Sequence, residues 1–180
     1  LGEGLNGPVR AIAVMGKDVY VGGDFEDAGG NPDADYIARW DGALWHALGT
    51  GPTGSVRALA AVGPKLYVGG AFLSAGGYPQ ASGIARWSVA EQHPTWTALG
   101  PGLNEPVYSI AAEGPDLYVG GTFTNAGGNP SADRIARWRG SSWHALGSGI
   151  PQGAVYAVEV EGPDVYVGGT FADAGGNTAA

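Results

Sequence analysis

The sequence predicts an all-β fold of small four-stranded antiparallel sheets, and three observations predict it. A motif recurs along the chain. The runs inside each copy are short and rich in β-branched and aromatic residues. Glycine or proline interrupts nearly every stretch long enough for a helix. The string Tyr-Val-Gly-Gly begins at Tyr20, Tyr67, Tyr118 and Tyr166, in steps of 47, 51 and 48 residues. Each copy runs on into x-Phe-x-x-Ala-Gly-Gly, through Phe25, Phe72, Phe123 and Phe171. Ile-Ala-Arg-Trp follows, ending at Trp40, Trp87 and Trp138, and Trp-x-Ala-Leu-Gly then begins at Trp45, Trp96 and Trp143. The one long step is a four-residue insertion within residues 88–95.

Each unit divides into four strands. The first is expected at residues 9–14, 56–62, 107–112 and 155–160. The second spans 19–22, with counterparts beginning at Leu66, Leu117 and Val165. The third covers 37–40, 84–87 and 135–138, and the fourth 44–48, 96–99 and 143–146. Gly, Pro, Asn and Asp separate these runs, as turns require. Asp41-Gly42, between the third and fourth strands, suits the left-handed backbone of a tight hairpin, and Arg139-Gly140 stands in the same place two units later.

A sheet of this size cannot bury both faces alone, so the copies must stack. A straight column is the alternative, but strand twist favours stacking around an axis, which makes the array a β-propeller. The chain is then a single propeller array or fragment over 1–180, with blades near 5–49, 54–100, 105–147 and 153–180. The fourth blade is incomplete, lacking its third and fourth strands. Three arrangements are open: a piece of a longer propeller, several chains completing one ring or filament, or a self-closed ring with one thin blade.

Composition narrows the class further. The 180 residues include 34 Gly and 12 Pro, about a quarter of the chain, yet the glycines fall in register with the aromatics rather than at random. There is no Cys, so disulfides, thiolate metal sites and thiol catalysis are excluded. Net charge is −8 and Lys17 and Lys65 are the only lysines, which disfavours nucleic acid as a partner. No apolar run is long enough for a membrane-spanning helix, and no membrane insertion is expected.

The order of these residues resembles the kelch-type propeller. There a Gly-Gly pair ends the second strand, an aromatic lies on the third, and a Trp opens the fourth after a short hairpin. Gly22-Gly23, Trp40 and Trp45 match it, as do Gly69-Gly70, Trp87 and Trp96, and Gly120-Gly121, Trp138 and Trp143. Trp on the third strand, where kelch repeats usually carry Tyr, and the Phe-x-x-Ala-Gly-Gly extension depart from it. That variant is similar to repeats in large secreted or surface proteins of bacteria, which implies an extracellular or cell-surface location. Galactose oxidase shares the kelch fold, but its Tyr–Cys copper chemistry cannot carry over to a chain without Cys.

Four sets of residues invite a chemical reading. Gly2-Glu3-Gly4-Leu5-Asn6-Gly7 and Gly49-Thr50-Gly51-Pro52-Thr53-Gly54 fit G-x-G-x-x-G, but a strand follows where a phosphate site needs a helix, so they read as links between blades. Asp24, Asp27, Asp33 and Asp35, with Glu26, crowd one loop and form the candidate calcium site, the only cofactor the sequence suggests. Ala71, Thr122 and Thr170 replace Asp24 in the other copies, and Asp35 recurs as Asp133, so turn capping is the competing role. His46 and His144 share one repeat position in different blades, and His93 lies in the insertion, so no shared metal or catalytic centre is expected of them. Arg39, Arg86 and Arg137 recur before the third-strand Trp and are expected to stack on rings or pair with loop carboxylates.

The first strand should line the propeller axis. There Arg10, Arg57, Tyr108 and Tyr156 share one position but differ between blades, which marks them as possible ligand-facing residues. No catalytic set is visible. The expected function is a non-enzymatic extracellular binding or structural scaffold with a protein or glycan partner, self-associating through its incomplete edge blades where other chains complete it. A carbohydrate-binding, lectin-like propeller and a subunit of a filament or matrix polymer are the alternatives, and fold alone chooses among none of these.

Overall fold

The computed structural model describes residues 4–89 and 94–176, and they form an all-β array of antiparallel sheets. The first sheet holds β1 (Val9–Met15), β2 (Asp18–Gly23), β3 (Ile37–Trp40) and β4 (Trp45–His46). The second holds β5 (Val56–Val62), β6 (Lys65–Gly70), β7 (Ile84–Ser88) and β8 (Thr95–Ala98). The third holds β9 (Val107–Glu113), β10 (Asp116–Gly121), β11 (Ile135–Arg139) and β12 (Ser142–Ala145). β13 (Ala154–Glu161) and β14 (Asp164–Thr170) form a two-stranded fourth sheet. Within each sheet consecutive strands are neighbours, so every blade is a simple meander. His93 and the middle of the insertion lie outside the described residues.

The fourth strand of the first blade is shorter than expected: β4 keeps two residues of the predicted 44–48. Asp41 accounts for the loss at its start. Its Oδ1 accepts the backbone N–H groups of Ala43 and Leu44, at 2.8 and 2.9 Å, which holds those residues in a turn instead of the ladder. In the third blade Gly140, at φ 64°, closes a tighter hairpin, and β12 runs longer.

The inner strands pack one on the next, β1 on β5, β5 on β9 and β9 on β13, so the blades stand side by side around the axis as a β-propeller array. The core lies between blades. Tyr20, Ile37 and Leu48 of the first blade pack with Val56, Leu66 and Phe72 of the second. Ile84 and Leu99 pack with Val107 and Phe123 of the third, and Ile135 and Ile150 with Val155 and Val158 of the fourth.

The first glycine of each Gly-Gly pair permits this stacking. A Cβ on Gly22 would come within 2.3 Å of Val56 Cγ1, one on Gly69 within 2.5 Å of Val107 Cγ1, and one on Gly120 within 2.5 Å of Val155 Cγ1. Each glycine is a socket for the next blade's valine. The Ala-Gly-Gly extension does the same for the fourth strand. Phe25, Phe72 and Phe123 are buried, and Gly29, Gly76 and Gly127 lie under Trp45, Trp96 and Trp143. Two short 3-10 turns, Ala28–Gly30 and Ala126–Gly128, carry that extension. Trp96 Nε1 then donates to Leu48 O at 2.6 Å and Trp143 Nε1 to Leu99 O at 3.2 Å, each bond crossing from one blade to the one before it. No helix among the described residues is long and apolar enough to cross a membrane.

Candidate functional site

The residues at the variable first-strand position form a row across the inner strands. Arg10 is exposed, and its Nε donates to Asp24 Oδ2 at 2.7 Å while its Nη2 bonds the same oxygen. Ser55, from the second blade, donates its hydroxyl to the other oxygen of Asp24. The Arg10 hydrogen bond and then the Ser55 hydroxyl hold the Asp24 carboxyl below its ordinary 3.8. Arg57 sits next, its guanidinium 5.0 Å from the Tyr108 ring centroid, with a buried Nε that has no hydrogen-bond partner. Tyr108 in turn meets Tyr156, their centroids 5.2 Å apart, and Tyr156 is 53% exposed. The row therefore runs from a neutralised ion pair at one end to an open aromatic face at the other. Asp24 and Ser55 belong to it, although the sequence placed Asp24 only in the acidic loop.

That acidic loop is dispersed. Asp24 turns toward Arg10 and Ser55. Asp35 Oδ1 accepts the backbone N–H of Asp27 at 3.0 Å, and Asp133 Oδ1 accepts that of Asn125 at 2.7 Å in the third blade. The equivalent bond on an equivalent turn makes capping the role the structure gives Asp35. It holds Asp27 and Asn125 at φ 55° and 53°, a region Asp and Asn tolerate better than most residues. Asp33 lends its own backbone N–H to Asn31 Oδ1 at 3.1 Å. Among the described residues, no three His, Cys, Asp or Glu side chains are grouped to hold a metal ion.

The other candidates resolve individually. His46 Nε2 lies 2.6 Å from Asp41 Oδ2 on the first hairpin, and His144 is exposed on β12. Those hairpin amides, and then His46, depress the Asp41 pKa strongly. Arg39 Nη1 donates to Asp18 Oδ2 at 2.8 Å, and Arg137 lies 3.7 Å from Asp116, so two of the recurring arginines pair with a carboxylate at the start of the second strand. Among the described residues Arg86 has no such partner, and Lys65 occupies that position in the second blade. The glycine-rich link at residues 49–54 leads into β5 and passes close to the neighbouring loop, a Cβ on Gly54 falling 2.6 Å from Ala71 O.

The sheet order, the axial packing of inner strands and the socketed glycines define the class of protein as a β-propeller array. No protein-family model matches the chain, and no curated protein matches it. Among solved structures it is similar to the computationally designed Ika4 protein, at 16% identity and a TM-score of 0.61, over 94% of this chain and 90% of that one. It is also similar to the WD40 β-propeller domain of Doa1, at 15% identity and a TM-score of 0.49, over 78% of this chain and 40% of that one. At such identities the likeness to Ika4 bears on the fold alone.

Proposed function

We propose that the chain is a non-enzymatic, kelch-like propeller module that acts as an extracellular or cell-surface scaffold, and that its two end blades dock head to tail with those of a second copy. One observation carries this: the end faces are complementary by the chain's own repeat. Val9 and Ile12 occupy the positions of Val56 and Leu59, which seat on Gly22, yet they are 43% and 63% exposed. Gly168 occupies the position of Gly22, Gly69 and Gly120, yet among the described residues only Ala157 of its own blade lies near it. A valine face without a socket and a socket without a valine face stand at opposite ends of the array. Such a heterologous contact closes into a ring or extends as a filament according to the rotation per blade. The polar residues at the axis fit a binding or structural reading, because the Asp24 carboxylate is already occupied by Arg10 and Ser55. The surface location rests on the resemblance to bacterial secreted repeats.

Sedimentation velocity over a concentration series tests the docking. Wild type should associate, and both Ile12→Glu and Gly168→Val should stay monomeric with unchanged circular dichroism. A wild-type chain that is folded and monomeric throughout overturns the proposal. A glycan partner is the second reading, favoured by the open Tyr108–Tyr156 pair, since ring faces suit sugars. A glycan array that scores a binder for wild type, lost in Tyr156→Ala, supports it, and an array without binders ends it.

A further inference from the structure

The clefts between neighbouring blades repeat in shape but not in charge. Between the first and second blades the cleft is lined by Met15, Asp18, Tyr20 and Arg39 on one side and Trp87 on the other, with a volume of about 270 Å³. Between the second and third it is lined by Val62, Lys65, Tyr67 and Arg86 on one side and Trp138 on the other, with a volume of about 460 Å³. Position for position these are equivalent residues, and two differ: Val62 stands for Met15, one apolar side chain for another, and Lys65 replaces Asp18, which reverses the charge. In the first cleft the carboxylate neutralises Arg39 at 2.8 Å. Arg137 of the third blade has the same support from Asp116.

In the second cleft two cations share the wall. Among the described residues neither has an ion-pair partner; Arg86 Nε is buried without a hydrogen-bond partner, as Arg137 Nε is, but Arg137 has the Asp116 carboxylate beside it. Both side chains are half-buried, so water screens their mutual repulsion less than on an open surface. The whole chain carries −8, which makes a pair of cations without a carboxylate partner in this inter-blade cleft a local inversion of charge. Guanidinium and ammonium groups side by side are the usual recognition set for an oxyanion, the former as a fork and the latter as a point charge. Trp138 and Tyr67 add flat apolar surface beside them.

We propose that this cleft binds a small oxyanion, a carboxylate or phosphate group, between Lys65 and Arg86, with the body of the ligand against Trp138. The carboxylate that the other blades build into the fold is here supplied by the ligand. Isothermal titration at low ionic strength, with inorganic phosphate and with glucuronate as separate probes, tests it. Wild type should bind one equivalent of at least one probe, and added sodium chloride should weaken binding. Phosphate alone binding identifies the phosphate group as the ligand's anchor. Glucuronate alone identifies a carboxylate on a ring that Trp138 supports, and both together identify the oxyanion without further selectivity.

Lys65→Asp reproduces the first cleft, so it should fold, melt at a higher temperature than wild type, and bind at least about tenfold more weakly. Lys65→Ala and Arg86→Gln should each weaken binding without that rise. Absence of heat with both probes, or undiminished affinity in Lys65→Asp, overturns the proposal. The end faces are not involved, so Ile12→Glu should bind as wild type does even where it abolishes association.

Discussion

The interior blade interfaces and the two end faces are built from the same residues, and their burial could hardly differ more. Val56, Val107 and Val155 are fully buried on the glycines of the preceding blade, while Val9, their counterpart, is 43% exposed. β10 is buried along almost its whole length, and β14, which carries nearly the same sequence, is exposed at most positions. A blade is thus not an independent unit of stability. Its strands form from local pattern, but its apolar faces are removed from water only by a neighbour, as in other repeat architectures.

The largest expected effect comes from emptying an interior interface. Phe123 is completely buried, and Phe123→Ala should cost about 4 kcal/mol, read as a lowered urea midpoint. Phe171, the same position in the fourth blade, is only half-buried, and Phe171→Ala should cost clearly less. Equal losses at the two positions would break the distinction between middle and end.

Filling a socket is the next test. A Cβ on Gly69 would stand 2.5 Å from Val107 and 3.0 Å from Ile110 Cδ1, so Gly69→Val should destabilise the chain by about 3 kcal/mol. The same change at Gly168 meets only Ala157 Cβ at 3.9 Å and should leave the isolated chain's melting temperature nearly unchanged. Calorimetry of the two variants side by side gives the answer directly.

These glycines show how far the sequence could be read. The register of Tyr-Val-Gly-Gly located every second strand, and the repetition of sheets too small to bury both faces alone implied the stacking. The reason for the first glycine of each pair, a valine from the next blade, is a long-range contact that no local window contains; a Cβ on the second would strike the backbone just before its own blade's first strand, at Pro8, Ser55 or Pro106. The same holds for the polar groups. Asp24 looked like one of several loop acids, and only the approach of Arg10 and Ser55 separates it from Asp35, which caps a turn. The exchange of Asp18 for Lys65 was visible in the aligned repeats. It acquired meaning only once Asp18 was found on Arg39, which left Arg86 facing a lysine.

A smaller effect tests the bonds that tie fourth strands to the preceding blade. Trp96→Phe keeps most of the ring but removes the donor to Leu48 O, a buried carbonyl acceptor at 2.6 Å. About 1–2 kcal/mol should be lost. The corresponding Trp143 bond is longer, at 3.2 Å, so Trp143→Phe should cost no more than Trp96→Phe.

The smallest effect concerns acid, and it should be confined to one junction. Asp24 bridges the first two blades, and its counterparts Ala71, Thr122 and Thr170 carry no carboxylate. Its folded-state pKa lies below the ordinary 3.8, so its bonds stabilise the fold fully above that value and are lost as pH falls through the depressed one. Asp41 is depressed as well, but its partners are all within its own hairpin. Asp24→Asn should therefore lower the urea midpoint at pH 6, and the gap to wild type should be narrower at pH 2.5. Asp41→Asn should leave the junction between the first two blades intact, as read by hydrogen exchange at the amides of β1 and β5. If Asp24→Asn stays equally far below wild type at both pH values, the loss lies in packing or in the new amide rather than in the carboxylate, and the electrostatic account of that junction fails.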